Sequence, residues 1–126
     1  MVETKLTKKQ NIKQYDLEER TLAFAKRVRD FIKKLPRTVS NIEDSKQLAR
    51  ASGSIGANYI EANEALSKKD FIMRIKICRK ESKESRYWLK IIVDTNNLEN
   101  NEEGRFLINE ASELMNIFGS IIRKSE

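Results

Sequence analysis

The chain predicts an all-α protein, an antiparallel up-down-up-down four-helix bundle, on three observations. Apolar residues recur at alternating spacings of three and four in four separate stretches, which puts each set on one helical face. One Pro and four Gly in 126 residues are too few turn-formers for a many-stranded sheet. The intervals between the stretches are short, so consecutive helices must pack as antiparallel neighbours.

Residues 1–14 carry Lys5, Lys8, Lys9 and Lys13 against a lone Glu3 and show no apolar period. They read as a basic N-terminal arm, or as an untethered terminus with no role. The bundle domain is assigned to residues 15–126. Helix 1 is predicted over 16–35, with Asp16 as N-cap and Glu18 and Glu19 in the dipole-favoured first turn. Its stripe is Leu17, Thr21, Phe24, Val28, Phe31 and Leu35, and Pro36 ends it.

Helix 2 is predicted over 41–66. Ser40 and Glu43 read as a capping box, and the seam is Ser45, Leu48, Ser52, Ile55, Tyr59, Ala62 and Leu66. Gly53 and Gly56 lie in its middle, and each costs about 1 kcal/mol relative to Ala. Close approach of a neighbouring helix would offset that cost; a kink is the other reading.

Helix 3 is predicted over 68–95, capped by Ser67 with Asp70 three residues on. Its seam is Phe71, Ile75, Cys78, Ser82, Ser85, Leu89 and Ile92. The Asn-rich segment 96–101 is a turn. Helix 4 is predicted over 102–124, with the seam Leu107, Ala111, Leu114, Phe118 and Ile121 and a flanking row of Ile108, Met115 and Ile122. Glu102 and Glu103 open it, and Arg123 and Lys124 close it, as the dipole prefers. Off the seams, Ile72, Ile77, Trp88 and Ile91 on helix 3 and Ile117 on helix 4 form a second apolar set, which fits either a thick core or a partner chain; Ile77, Trp88 and Ile91 are the candidate interface residues of a homo-oligomer.

Composition removes much chemistry. The chain has no His, which excludes Ser-His-Asp and Cys-His nucleophiles and His-containing zinc sites. Glu61, Glu64, Glu81 and Glu84 could suggest a carboxylate metal site, but a ferritin-like centre also needs Glu-x-x-His pairs. They read instead as partners of Arg and Lys on neighbouring helices. Cys78, the only cysteine, lies on a seam and reads as a small hydrophobe. It can form no intrachain disulfide, which fits a reducing compartment. Gly53-Ser54-Ile55-Gly56 lacks the phosphate-loop pattern. No stretch approaches the ~20 apolar residues of a membrane span, and the polar start is no signal peptide. The expectation is a cytoplasmic protein with no enzymatic activity, no cofactor, no metal and no membrane partner.

What remains is charge. Residues 68–90 hold nine cations against three acids, a net +6 that equals the whole-chain charge. Residues 94–126 hold seven acids against three cations. Lys76, Lys80, Lys83, Tyr87 and Lys90 fall on one face of helix 3, flanked by Arg79 and Arg86. A basic stripe with an aromatic in it suits a phosphate backbone, RNA or DNA alike. The rival readings are a solvated face, a face that pairs with the acidic helix 4 of another protomer, and a face that meets an acidic protein.

Several residues carry a resemblance: Gln47-Leu48, Ser54-Ile55-Gly56-Ala57-Asn58, Glu61-Ala62, Asp70-Phe71, Lys80-Glu81 and Trp88-Leu89. In these the chain resembles the four helix bundle family encoded by intervening sequences within bacterial large-subunit ribosomal RNA genes, also called S23-like. The accessory protein of diversity-generating retroelements is a related branch. The resemblance spans helix 1 to helix 4. Ala62 stands where the family usually has Gly, so the helix should continue there. The resemblance implies an up-down bundle that assembles into a homopentamer, and no known enzymatic activity. It also implies nucleic-acid binding through a basic surface and, in the retroelement branch, a reverse-transcriptase partner.

Overall fold

A computed structural model describes the backbone of residues 5–126 and the side chains of 17–126. Among the described residues there are four helices, α1 (Lys5–Lys33), α2 (Val39–Asn63), α3 (Lys68–Thr95) and α4 (Glu102–Ser125), and no strand. Each helix packs on its neighbours in the chain, and α4 closes the ring against α1. The α2–α3 and α3–α4 seams are the most extensive, and α1 touches α4 only lightly.

The core is the set of stripes legible in the sequence. Phe24 and Val28 of α1, Leu48 and Ile55 of α2, Ile75, Leu89 and Ile92 of α3, and Leu107, Leu114 and Phe118 of α4 are fully buried. Tyr59 meets Phe118 with ring centroids 6.0 Å apart. Gly56 of α2 lies directly against Thr21 of α1. A Cβ there would lie 2.8 Å from Thr21 Oγ1, closer than real Cβ contacts allow. Thr21 is itself fixed, buried and donating from Oγ1 to the Leu17 carbonyl at 2.7 Å. The glycine therefore serves close approach, and α2 runs through it without a break.

At one end of the bundle the two connections are tied together. Asn41 Nδ2 donates to Asn96 Oδ1 at 2.9 Å, and Asn96 Nδ2 donates to Asn41 Oδ1 at 2.8 Å. Asn97 takes a positive φ of 56°. The Leu98 amide then donates to Val93 O at 2.8 Å, a Schellman closure of α3 that drops Leu98 onto the core.

Several boundaries and seam positions differ from expectation, the larger ones for local reasons. α1 starts at Lys5, so Asp16 lies inside it and is no cap. Residues 5–15 contain no Pro or Gly, so nothing in the sequence stops the helix. Helix thus runs across the arm boundary drawn at residue 14; residues 1–4 and the side chains of the arm lie outside the described ones. The cap of α2 is Thr38, not Ser40. Thr38 is extended and accepts from the Asn41 amide, whereas Ser40 is already helical. α2 ends at Asn63, and Leu66 is 99% exposed. Ser67 must be extended to cap α3, which turns the chain away before Leu66 can reach the seam. At the end of α4 the core residue is Ile122, with Ile121 half-buried. A straight helix drifts about 20° per heptad, which moves the last core position one residue on. Ala62 stays helical and buried.

Candidate nucleic-acid interface

α3 is held on two sides. Ile75, Cys78, Ser82, Ser85, Leu89 and Ile92 face the core, and the flanks face α2 and α4. Its remaining face points to solvent, and Lys76, Lys80, Lys83, Tyr87 and Lys90 all lie exposed on it. Tyr87 is 59% exposed and stands edge-on to Trp88, ring centroids 5.1 Å apart. Among the described residues only Lys76 of this stripe has a carboxylate within ion-pair distance, Glu126 at 3.7 Å.

On the α4 flank lie Arg79, exposed, and Arg86, half-buried. Arg86 Nη1 donates to Ser112 Oγ at 3.3 Å. The Arg79 side chain lies along Gly119, its Cδ 3.7 Å from where a Cβ would stand. Neither has an acidic partner among the described residues. The sequence stripe and its two flanking arginines are therefore brought onto one surface, and that surface reaches α4.

The α2 flank is different. Arg50 of α2 bridges Glu81 at 3.4 Å and Glu84, and Trp88 Nε1 donates to Glu84 Oε2 at 3.2 Å. Burial pushes the Glu84 carboxyl up, but the Trp88 and Arg50 hydrogen bonds and the Arg50 and Lys80 charges together hold it below its ordinary value. The Glu84 bond in turn raises Arg50. Glu81 is buried, and so is Ser85 one turn on; beyond the Arg50 ion pair, Glu81 Oε1 has no hydrogen-bond partner among the described residues, and neither has the Ser85 hydroxyl. Ile77, Trp88 and Ile91, the candidate interface residues, are half-buried along this flank, and Trp88 rests on the core. Met73 adds an exposed apolar side chain nearby in the same helix.

The other sites raised by the sequence look different in three dimensions. Glu81 and Glu84 pair with Arg50 as expected, while Glu61 and Glu64 are exposed. Among the described residues no three Cys, Asp or Glu side chains converge as metal ligands. Cys78 is buried, its thiol pushed up to about 12 by burial, and Sγ donates to Ile55 O at 3.4 Å. Such a thiol is inert at neutral pH. A second group of cations, Arg29, Lys33, Arg37 and Lys46, lines an open groove of about 420 Å³ between α1 and α2. Arg29 is occupied by the Ala25 and Ala49 carbonyls, and Lys33 and Lys46 stand near Asp30 and Glu43. Among the described residues no helix is long and apolar enough to cross a membrane.

The family model of the 23S rRNA-intervening sequence proteins matches residues 13–120. The chain belongs to this family. It is also similar to a crystal structure from Bacteroides thetaiotaomicron VPI-5482, described as a protein with unknown function from the S23 ribosomal protein family. That protein is 33% identical, with a TM-score of 0.73, over 84% of this chain and 97% of its own. No curated protein matches the chain.

The residues by which this intervening-sequence protein resembles its family build the fold. Leu48, Ile55, Ala62 and Leu89 are core. Asn58 accepts from Arg74 at 3.0 Å and donates to Ser54 O at 2.9 Å, joining α2 to α3. Asp70 gives its amide to the Ser67 cap. Glu81 takes Arg50. Of the shared motifs only Lys80 lies on the basic stripe. Sequence reasoning missed Arg50, because its importance comes from which residues of the next helix lie opposite, and that register is not written in either helix alone.

Proposed function

We propose that this intervening-sequence family protein is a non-catalytic, cytoplasmic, homo-oligomeric bundle that binds nucleic acid through the exposed basic face of α3. The observation that carries the reading is a lack of neutralisation. Lys80, Lys83, Lys90, Arg79 and Arg86 have no carboxylate within ion-pair distance among the described residues, although the same chain pairs Arg20, Arg27 and Arg50 with glutamates. Cations held in a row beside an exposed Tyr match a phosphate backbone and a base-stacking platform. The half-buried row of Ile77, Trp88 and Ile91, with Met73 beside it, supports self-association, and the family resemblance makes a pentamer the assembly to test first.

The test is a salt titration of binding to a labelled single-stranded RNA and to a DNA duplex. The log–log slope should be negative and shared by unrelated sequences, because phosphate contacts carry no sequence information. Replacing Lys76, Lys80, Lys83 and Lys90 together with Gln should flatten it by about 3 units per bound protomer. Unchanged binding in that variant would remove α3 as the site. Binding of an acidic protein in place of either nucleic acid would favour the scaffold reading. Light scattering at micromolar concentration should give a mass several times that of one chain; a strict monomer would end the oligomer proposal.

A further inference from the structure

We infer that Arg79 of α3 and Arg123 of α4 form a two-guanidinium seat for one phosphate of the bound strand, at the α3–α4 seam above Gly119. The inference rests on the nucleic-acid reading above and adds a second helix to the site. Arg123 was assigned from sequence only to the last, dipole-favoured turn of α4, where the structure also has it. Its Nη1 lies 3.4 Å from the point a Cβ on Gly119 would occupy, and Arg79 Nη1 lies 4.0 Å from that same point. The two guanidinium nitrogens are therefore separated by no more than those two distances combined. That is within the reach of a single phosphate, whose non-bridging oxygens can each accept one charged N–H.

Two like charges brought this close normally share a carboxylate. Among the described residues neither Arg79 nor Arg123 has one, and neither has a hydrogen-bond partner. Glu126, three residues beyond Arg123, instead stands 3.7 Å from Lys76. Gly119 adds to the case. Glycine is the poorest residue for a helix interior after proline, and a Cβ here would meet only ordinary contacts. Gly119 is buried against these two arginines, and the lack of a side chain there keeps the space between the two guanidinia clear.

A strand fits better than a single acidic side chain. One heptad along α3, about 10.5 Å away, Arg86 reaches α4 at Ser112 and adds a further cation on the same flank. Lys83 and Lys90 lie exposed on the same side of the stripe. A chain of regularly spaced phosphates can meet all of these; one carboxylate satisfies one rung.

The experiment puts a carboxylate into the seat. In Gly119→Glu the new side chain pairs with Arg79 and Arg123, while Gly119→Gln has the same size without the charge. With a labelled single-stranded RNA, Gly119→Glu should bind about tenfold more weakly and lose about 1 to 2 units of salt slope. Gly119→Gln should lose far less. The melting temperature of Gly119→Glu should hold or rise, since a glycine leaves the helix and two cations gain a partner. Arg123→Gln, an exposed change, should lower affinity about fivefold and keeps the test open if Gly119→Glu does not fold. If both glutamine and glutamate at 119, and Gln at 123, bind like the parent while Lys83→Gln and Lys90→Gln bind more weakly, the seat is wrong and the α3 stripe stands. If the parent itself binds no RNA at low salt, both fall. If poly-glutamate binds as tightly as RNA and responds to the same variants, the seat takes carboxylates and the phosphate assignment is overturned.

Discussion

α4 is flanked by two ladders of arginines, alike in spacing and opposite in chemistry. On its α1 side, Arg20 and Arg27, seven residues apart, reach Glu110 and Glu103, also seven apart. Both contacts are bidentate: 2.6 and 3.0 Å for Arg20, 2.9 and 2.7 Å for Arg27. Arg27 also covers the Phe106 ring, 3.8 Å from its centroid. On its α3 side, Arg79 and Arg86, again seven apart, cross Gly119 and Ser112, which carry no charge. The first ladder closes the bundle where packing is thinnest, because α1 touches α4 only lightly. The second lies on a seam already held by Ile75, Leu89, Leu107, Leu114 and Phe118, which needs no ionic help. An arginine that a seam does not need, with no acid opposite, is available to something outside the chain.

The strongest way to isolate the first ladder is to break the other attachment of α1. Gly56→Leu forces atoms into the space of Thr21, and overpacking of this kind costs about 1–3 kcal/mol, against a helix-propensity gain of about 1. We expect a net loss near the upper end, about 2 kcal/mol, since even the Cβ clashes. With α1 hung mainly on its Arg–Glu rungs, the denaturation midpoint of this variant should fall with added NaCl more steeply than the parent's. A salt response equal to the parent's would mean the ladder is not what retains α1.

Next in size is the ladder itself. Double-mutant cycles to Ala should give a coupling of about 1 kcal/mol for Arg20–Glu110 and about half that for Arg27–Glu103. The order follows exposure: the side chains are 29% and 12% exposed in the first pair, 45% and 37% in the second. Equal couplings would say that bidentate geometry, not shielding, sets the strength.

A smaller effect is read by pH. The Arg27 hydrogen bond holds the Glu103 carboxyl below its ordinary value, with help from the Arg27 and Lys34 charges, and Arg27 is raised in return. A carboxyl depressed on folding stabilises the fold above its unfolded value of about 4.3 and loses that contribution as pH falls through the folded value. Acid should therefore weaken the Arg27–Glu103 rung and the Arg50–Glu84 contact, whose carboxyl is depressed as well. The α3–α4 ladder has no carboxyl to titrate among its described contacts. Glu103→Gln should be less stable than the parent at pH 7, and the gap should narrow below about pH 4.3. A gap that stays constant with pH would show that the pair contributes by packing alone.

How much of this was legible in the sequence follows the same division. Positions that answer to periodicity were readable: the buried side chains described in α1 all sit on its stripe, and most of those in α2, α3 and α4 sit on theirs, because burial of one face is a property of a single helix. Ends were harder. Thr38 and Ser40 are both good caps, and only the path out of Pro36 decides between them. The basic stripe was readable because it needs one helix. The ladders were not, since Arg27 opposite Glu103 and Arg79 opposite Gly119 depend on how α1 and α3 are set along α4. Seven-residue spacing of arginines was a signal present in the sequence, at 20 and 27 as at 79 and 86, but nothing in it told a neutralised pair from a free one.

The smallest expected effect is the most telling about the comparison. Arg79→Gln removes a cation that has no acid opposite and lies within a short distance of Arg123. Gln and Arg have similar helix propensity, and the exposed aliphatic stem is mostly kept. The change in stability should stay within about 0.5 kcal/mol, as for surface substitutions away from special features. Its sign should be favourable at low ionic strength, because self-repulsion between Arg79 and Arg123 is relieved, and should vanish near 1 M salt, where the screening length is about 3 Å. Arg27→Gln must behave in the opposite way: destabilising at low salt, less so at high salt, since an attraction is lost instead of a repulsion. The two variants, compared by thermal denaturation at about 0.01 M and 1 M NaCl, should therefore converge from opposite sides of the parent. If Arg79→Gln follows Arg27→Gln, the Arg79 guanidinium has a partner within the assembled protein, and the α3–α4 ladder belongs to the fold or to an interface between copies.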